Sequence, residues 1–170
     1  MELQSLEDSR YLAGLLQQHI PEGGLLLLCG QLGSGKTTLV QLLGAQLGSS
    51  AHISSPSYTL IHEYPSAEGL LVHIDAYRLE QASALRELGL DDYLERARLV
   101  AVEWGEALLE HYPDAFVLQL QRLSDPSPTS SASGSYGTSY SGVSDVDSLE
   151  HSITARRQAS LRQGQQLLIP

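Results

Sequence analysis

The residue types that this 170-residue sequence lacks exclude several protein classes. It contains no asparagine, which excludes the Asn-Lys-x-Asp guanine-binding motif of GTPases and the catalytic-loop asparagine of protein kinases. Its single cysteine, Cys29, excludes a disulfide framework and indicates a reducing compartment. It contains one lysine, Lys36, and every other basic residue is arginine. The position of that lysine is therefore informative.

Positive charge and long apolar runs are also scarce. Ten basic residues against twenty acidic ones give a formal net charge of -10. Unaided binding to nucleic acid or to an anionic membrane needs clustered positive charge, so neither is expected. No apolar run approaches the roughly 20 residues of a membrane span, and the acidic N-terminus has no signal-peptide core. We therefore expect a cytoplasmic protein with no membrane partner.

The order of apolar and polar segments predicts a protein that mixes strands and helices. Unbroken apolar runs are typical of strands buried on both faces, and apolar residues spaced by three and four are typical of amphipathic helices. Strands are predicted over residues 25–29, 58–64, 70–75, 99–103 and 115–120, with the second and third forming a hairpin and the last lying at the outside. Helices are predicted over residues 5–20, 36–47, 79–96 (broken at Gly89) and 106–111.

One stretch differs from the rest in composition. Ten of the 25 residues in 124–148 are serine, and none is lysine or arginine. Such a segment buries too little apolar surface to offset the entropy of ordering it, which predicts a disordered insertion. The chain is therefore predicted to consist of a core over 1–123, the insertion over 124–148, and a segment over 149–170 that completes the same domain with a strand or helix.

The strongest motif is GQLGSGKT at residues 30–37, which matches the P-loop pattern G-x-x-x-x-G-K-[ST]. It follows an apolar strand and opens a helix, as a phosphate site requires. The glycines let backbone N–H groups surround a phosphate, the lysine reaches the β- and γ-phosphates, and the threonine hydroxyl binds Mg²⁺. The candidate nucleotide-binding residues are Gly33, Ser34, Gly35, Lys36, Thr37 and Thr38.

Two acidic residues follow apolar strands and are candidates for the second half of such a site. Asp75 ends the run 70–74 and Glu103 ends the run 99–102. Both should lie at the carboxyl edge of the sheet, where ligand sites of α/β proteins lie. Glu103 is favoured to polarise the attacking water, and Asp75 is better suited to Mg²⁺, either as a direct ligand or through a bound water, although the two roles are exchangeable. The predicted catalytic residues are Lys36, Glu103 and Asp75, and the predicted metal ligands are Thr37, Glu103 and Asp75.

Other residues near these motifs carry open alternatives. Ser57 and Thr59 lie in a polar loop that either senses the γ-phosphate or only connects two elements. Trp104 either forms a wall of the site or packs in the core. Arg78 acts as an internal arginine finger or forms a structural ion pair. His73 and Asp75 share a strand face and could be a pair of metal ligands, but the sequence offers no third ligand for a zinc site.

The order of four motifs resembles the TsaE family, the P-loop ATPases of bacterial tRNA threonylcarbamoyladenosine (t6A) biosynthesis. These motifs are GQLGSGKTT at 30–38, SPSYTL at 55–60, HIDAYRL at 73–79 and VEW at 102–104. The P-loop alone is generic, whereas the Ser-Pro-x-x-Thr block followed by His-x-Asp-x-Tyr-Arg is specific. The resemblance extends to about residue 123, and residues 150–170 match the family only loosely.

The resemblance implies an α/β, P-loop NTPase-like three-layer fold with a mixed, largely parallel sheet and an antiparallel hairpin. It implies binding of ATP or ADP with Mg²⁺ and a weak ATPase activity stimulated by the TsaB–TsaD heterodimer. That activity supports t6A formation at adenosine 37 of tRNAs that read ANN codons, with the tRNA contacted only through the partners. By position, Thr37 and Glu103 hold Mg²⁺, and Glu103 or Asp75 assists hydrolysis.

Two other function classes remain open at the level of sequence. A small-molecule P-loop kinase would need a lid of basic residues, for which Arg86, Arg96 and Arg98 are available. A nucleotide-gated binding module would need no turnover, and the presence of Glu103 is evidence against that interpretation, because a switch does not need an acid that activates water.

Overall fold

The computed structural model describes residues 1–56, 59–79, 85, 87, 89–123, 156–164 and 166–170. The strands are β1 (Glu2–Leu3), β2 (Gly24–Cys29), β3 (Ile61–Ser66), β4 (Gly69–Asp75), β5 (Leu99–Glu103), β6 (Phe116–Arg122), β7 (Arg157–Gln163) and β8 (Gln166–Ile169). The helices are α1 (Leu6–His19), α2 (Lys36–Gln46), α3 (Leu90–Arg96) and a 3-10 turn over Gly105–Leu108. The predicted insertion over 124–148 lies outside the described residues.

The strands form one mixed sheet in the order β1–β7–β6–β2–β5–β4–β3, with β8 also paired to β7. The four central strands β6, β2, β5 and β4 run parallel to one another. The strands outside them pair antiparallel, and β3 forms the expected hairpin with β4. The predicted α/β fold class, with a largely parallel central sheet, is confirmed.

Both faces of the central strands are buried, which produces a three-layer arrangement. Along β2, Leu26 and Leu28 pack in a cluster that includes α1 and α2. Leu25 and Leu27 point to the other face, where they pack with α3 and the 3-10 turn. Successive side chains of a strand point to opposite faces, so a run without polar residues is what a strand covered on both sides requires.

Several predicted elements change their bounds or position. The strand predicted at 115–120 was expected at the outside of the sheet, but β6 is internal because β7 pairs along its whole length. Strand β3 continues through Pro65. Proline has no backbone N–H to donate, but β3 is an edge strand, and one side of an edge strand faces solvent instead of a neighbouring strand. The helix predicted at 106–111 is a 3-10 turn over Gly105–Leu108. The helix predicted at 79–96 is described only in part, and α3 begins after Gly89.

Helix α1 has a well-defined start that its sequence explains. The Ser5 side chain accepts a hydrogen bond from the backbone N–H of Asp8, and the Asp8 carboxylate accepts one from the backbone N–H of Ser5. This reciprocal pair satisfies donors that a helix start otherwise leaves unpaired. Within the described parts of the chain, no helix is both long and apolar enough to traverse a bilayer.

Candidate functional site

The P-loop joins the end of β2 to the start of α2 at the carboxyl edge of the parallel strands. Gly33 has a φ of 73° and Gly35 a φ of 95°, conformations that residues with a side chain rarely adopt. Gly35 is also the N-cap of α2, and Lys36 is its first residue. The backbone N–H groups of the first helical turn and the positive end of the helix therefore face the loop, which is the arrangement that binds anions.

The sole lysine is buried inside this loop. Lys36 Nζ donates hydrogen bonds to the carbonyl oxygens of Gly30 at 2.8 Å and Gln31 at 3.1 Å. It also lies 3.7 Å from the centroid of the Trp104 ring, a cation–π contact. Burial lowers the pKa of Lys36 below its ordinary value, and the nearby carboxylates of Glu103, Glu106 and Asp75 oppose this.

The two carboxylates predicted at the strand ends lie side by side. Asp75 and Glu103 are paired residues of the neighbouring parallel strands β4 and β5. The Thr37 hydroxyl donates to Glu103 Oε1 at 2.7 Å, and His73 Nε2 lies 2.9 Å from the same oxygen. Because a carboxylate only accepts, His73 carries its proton on Nε2 in this contact. Glu103 is thus held from two sides in one orientation.

Asp75 holds the backbone and loop around the site. Its Oδ2 accepts a hydrogen bond from the Ser55 hydroxyl at 3.3 Å, and its Oδ1 accepts one from the backbone N–H of Tyr77 at 3.1 Å. Ser55 belongs to the Ser-Pro block and Tyr77 to the block that contains Asp75 itself. The contacts of Asp75 therefore join two sequence motifs, whereas those of Glu103 point to the P-loop threonine.

These groups surround a cavity of about 400 Å³. It is lined by Leu32, Gly33, Ser34, Gly35, Lys36, Thr37, Thr38, Ser55, Asp75, Tyr77, Arg78, Glu103 and Trp104. All eight residues predicted to bind nucleotide or metal or to act in catalysis, which are residues 33–38, Asp75 and Glu103, line this cavity. Thr59 is exposed and does not line this cavity, and Ser57 lies outside the described residues.

Comparison with known proteins assigns the chain to a family. The family model for the threonylcarbamoyl adenosine biosynthesis protein TsaE matches residues 3–129 of the 170. The chain belongs to the TsaE family. The family resemblance in the sequence motifs is therefore confirmed, and it extends over the strands and loops that build the cavity.

Individual TsaE proteins show the same relationship. The tRNA threonylcarbamoyladenosine biosynthesis protein TsaE of Nostoc sp. is 39% identical over 123 residues, which cover 70% of this chain and 75% of that protein. Its counterpart in Bacillus subtilis is 36% identical over 107 residues, covering 63% and 66%. The crystal structure of Bacillus subtilis YdiB superposes with a TM-score of 0.60 at 28% identity, covering 74% of this chain and 77% of that one.

Three contacts of this TsaE chain escaped the sequence analysis. His73 orients Glu103, and the alternation of strand residues was the only signal, since His73 and Asp75 share a face. Trp104 lines the cavity and also packs against the buried cluster on that side of the sheet, so both predicted alternatives for it hold; the Tyr77 ring, 5.1 Å from it between centroids, extends this wall and was not predicted. Arg157 lies against Gly35 of the P-loop from β7, and no sequence signal indicated it.

The donor set of the cavity fits magnesium better than zinc. Across the part of the chain that the structure describes, no group of three or more His, Cys, Asp or Glu side chains could hold a metal ion. The available donors are oxygens, from the Thr37 hydroxyl and the carboxylates of Glu103 and Asp75. Mg²⁺ takes one or two carboxylates together with substrate phosphates, so such a set is sufficient once a nucleotide is present.

Cys29 takes no part in this chemistry. It is 1% exposed at the end of β2, and burial raises the pKa of its thiol to about 12. The thiolate, which is the nucleophilic form of cysteine, is therefore scarce near neutral pH.

Proposed function

We propose that this chain binds ATP or ADP with Mg²⁺ and hydrolyses ATP to drive a step of t6A biosynthesis, acting on the TsaB–TsaD heterodimer. One observation carries the proposal: the P-loop hydroxyl of Thr37 lies 2.7 Å from the Glu103 carboxylate, in the same cavity as Lys36. A loop for phosphate, a magnesium ligand and an acid are the three parts that phosphoryl transfer to water needs. The naming of its relatives as t6A biosynthesis proteins supports the pathway.

Each residue of the cavity has a chemical role in this proposal. The backbone N–H groups of residues 33–38 and the Lys36 ammonium bind the β- and γ-phosphates. Thr37 and Glu103 would hold Mg²⁺, which when bound neutralises negative charge that develops on the phosphates. Glu103 is the favoured acceptor of the proton of the attacking water. Asp75, whose oxygens contact Ser55 and Tyr77, positions the surrounding loops.

The charge of the molecule supports an indirect role in tRNA modification. A net charge of -10 opposes association with a polyanion, because nucleic-acid affinity comes mainly from basic side chains that neutralise phosphates. The proposal therefore assigns tRNA binding to the partner proteins and assigns the chain to the cytoplasm, where they and the tRNA meet.

The kinase alternative receives no support from the basic residues that suggested it. The Arg96 guanidinium forms a two-point ion pair with Glu63, at 2.8 and 3.0 Å. Arg98 donates to the carbonyl oxygens of Gln17, Ile20 and Pro21, where α1 ends. Both are thus engaged away from the cavity, and Arg86 lies outside the described residues.

Steady-state ATP hydrolysis with Mg²⁺, measured with and without TsaB–TsaD, tests the proposal. We expect low activity alone, clear stimulation by the heterodimer, and loss of both in Lys36→Ala. The lost ammonium should weaken ATP binding by about tenfold or more. Arg10→Ala is the control for removal of a positive charge, since Arg10 is exposed on α1 and pairs with Glu7.

Two outcomes would contradict parts of the proposal. ATP binding without stimulation by TsaB–TsaD would contradict the proposed partner. Transfer of labelled γ-phosphate to a small molecule, in a screen of phosphate acceptors, would replace hydrolysis with kinase activity.

A further inference from the structure

A buried arginine lies behind the P-loop. Arg157, the first residue of β7, is 2% exposed and is paired with Arg122 of β6. Its guanidinium packs so closely against Gly35 that a Cβ at Gly35 would collide with Nη1 of Arg157. The glycine is thus needed for this approach as well as for its backbone conformation. The P-loop and the last part of the sheet are in direct contact here.

This guanidinium has few hydrogen-bond partners. Its Nη2 donates to the Ser9 hydroxyl of α1 at 3.0 Å, while its Nε has no partner among the residues placed by the structure. Burial and, to a smaller extent, repulsion from Arg122 lower the pKa of Arg157, and attraction to Asp8 opposes this. Arginine nevertheless stays charged at physiological pH. A buried charge with so little compensation costs stability.

The described residues form no ligand-sized pocket of their own beside Arg157. The cavity beside Arg157 measures about 10 Å³, which is room for about one water molecule. Its lining includes Gly35 and Thr38, and both of these also line the large cavity of the P-loop. The guanidinium therefore lies on one side of the loop and the nucleotide cavity on the other.

We propose that Arg157 is a positioning residue of the nucleotide site, holding the Gly35 turn from behind and adding a positive charge to that of Lys36. This inference rests on the proposed nucleotide binding. The field of a buried charge acts through the loop because it is poorly screened by solvent. Its cost in the protein alone would be offset when the phosphates bind. Removal of the charge should therefore weaken ATP binding without lowering the stability of the protein alone.

The test compares Arg157→Met with Arg156→Met in the full chain. Methionine is unbranched and apolar, so it replaces the stem of arginine without the charge. Arg156 is the matched control, since it is the adjacent residue, is half exposed and pairs with Glu2 on the surface. We expect Arg157→Met to keep or raise the melting temperature without nucleotide and to raise the Kd for ATP by about tenfold or more. The control should change neither quantity appreciably.

A conservative variant separates charge from packing. Arg157→Lys keeps the charge but loses the planar guanidinium group. It should therefore retain more ATP affinity than Arg157→Met or Arg157→Gln, with all variants measured at one temperature at which each of them is folded. Parental affinity in Arg157→Met, or equal losses in the lysine, glutamine and methionine variants, would overturn the inference. If the parent chain itself binds no ATP, and Lys36→Ala matches it, the proposed function fails instead, and this inference with it.

Discussion

At the residue scale, two polar contacts of the cavity converge on one oxygen of Glu103. Thr37 and His73 both approach Oε1, at 2.7 and 2.9 Å. His73 is fully buried, and its Nδ1 has no partner within the described chain, so its one polar contact is with this carboxylate. A fixed carboxylate needs no reorganisation when charge develops, which is how preorganised polar groups accelerate a reaction.

Glu103→Gln should separate binding from hydrolysis. The amide keeps the size of the side chain and an oxygen for the Thr37 hydroxyl, so we expect nucleotide affinity to change by a few-fold at most. It cannot accept the proton of the attacking water, so stimulated turnover should fall by about 10²-fold or more. Equilibrium binding and steady-state hydrolysis, measured on the same preparation, check both parts.

Asp75→Asn is the matched comparison for that variant. Its remaining oxygen can still accept the Tyr77 N–H, so the loss of turnover should be smaller than for Glu103→Gln. Normal turnover in Glu103→Gln together with a large loss in Asp75→Asn would show that the roles of the two carboxylates are exchanged.

The residues of the cavity were predictable to the extent that each follows a local pattern. The P-loop is a contiguous motif, and Asp75 and Glu103 each end an apolar run, so parallel pairing brings them together. The contact between His73 and Glu103 depends on register, because His73 pairs with Ala101 and Glu103 lies two residues further along β5. The ends of the two apolar runs indicate this register, but no local pattern shows that the His73 side chain reaches across it to the Glu103 carboxylate.

At the element scale, the predictions that rest on local patterns are confirmed, and those that depend on distant partners are corrected. Helix α1 follows from the spacing of its apolar residues, α2 from the P-loop motif that precedes it, and strands β2, β4 and β5 from their apolar runs. The place of β6 inside the sheet depends on β7, which is more than thirty residues away in sequence. Nothing local to 115–120 indicates that partner, and the contact of Arg157 with Gly35 joins residues that are still farther apart in sequence. Long-range pairing, rather than propensity, thus limited the sequence analysis.

The start of α1 yields a test of element stability. The Ser5 hydroxyl caps the helix through the backbone N–H of Asp8 at 3.1 Å. Ser5→Ala should lower the free energy of unfolding by about 1 kcal/mol, as is usual for the loss of an N-cap side chain. Urea unfolding monitored by circular dichroism measures the change. Ser5→Thr keeps a hydroxyl that can accept from the Asp8 N–H and donate to the Asp8 carboxylate, so it should recover most of the loss.

The same cap gives a pH dependence with a definite sign. Hydrogen bonds from the Ser5 side chain and from the backbone N–H groups of Gln4 and Ser5 hold the pKa of Asp8 below its ordinary value of 3.8. The folded state therefore binds the Asp8 proton less tightly than the unfolded state does. The contribution of Asp8 is complete above the unfolded pKa and is lost as the pH falls through the lower, folded pKa.

The stability difference between the parent and Asp8→Asn should accordingly be present at neutral pH and vanish in strong acid. Glu7→Gln is the control, since Glu7 lies in the same helical turn and pairs with Arg10 instead of the cap. A difference that stays constant down to the acid limit would show that the carboxylate of Asp8 does not stabilise this helix start.

At the scale of the whole molecule, β6 and β7 are neighbours in the sheet although residues 124–155 separate them in sequence. The register between β6 and β7 extends from the pair Phe116 and Gln163 to the pair Arg122 and Arg157. One step further, the backbone N–H of Leu123 donates to the carbonyl oxygen of Arg156 at 2.9 Å. Leu123 and Arg156, which flank residues 124–155, are therefore direct neighbours in space.

This geometry sharpens the prediction made for the serine-rich stretch. Deleting residues 124–148 leaves the seven residues 149–155 to connect Leu123 with Arg156, and two to five residues are enough for a hairpin loop. Loop-closure entropy changes slowly with length, so the deletion should stabilise the fold by about 1 kcal/mol at most. We expect the melting temperature and the ATP affinity to stay close to those of the parent chain.

A second variant, in which 124–148 are replaced by a glycine-serine segment of equal length, separates length from sequence. Both variants should fold like the parent if the stretch is disordered, because neither removes packed surface. A fall of the melting temperature by ten degrees or so in both, equivalent to several kcal/mol for a domain of this size, would show that the native stretch packs on the domain. Loss of stimulation by TsaB–TsaD with an unchanged melting temperature and unchanged ATP affinity would instead assign it to partner binding.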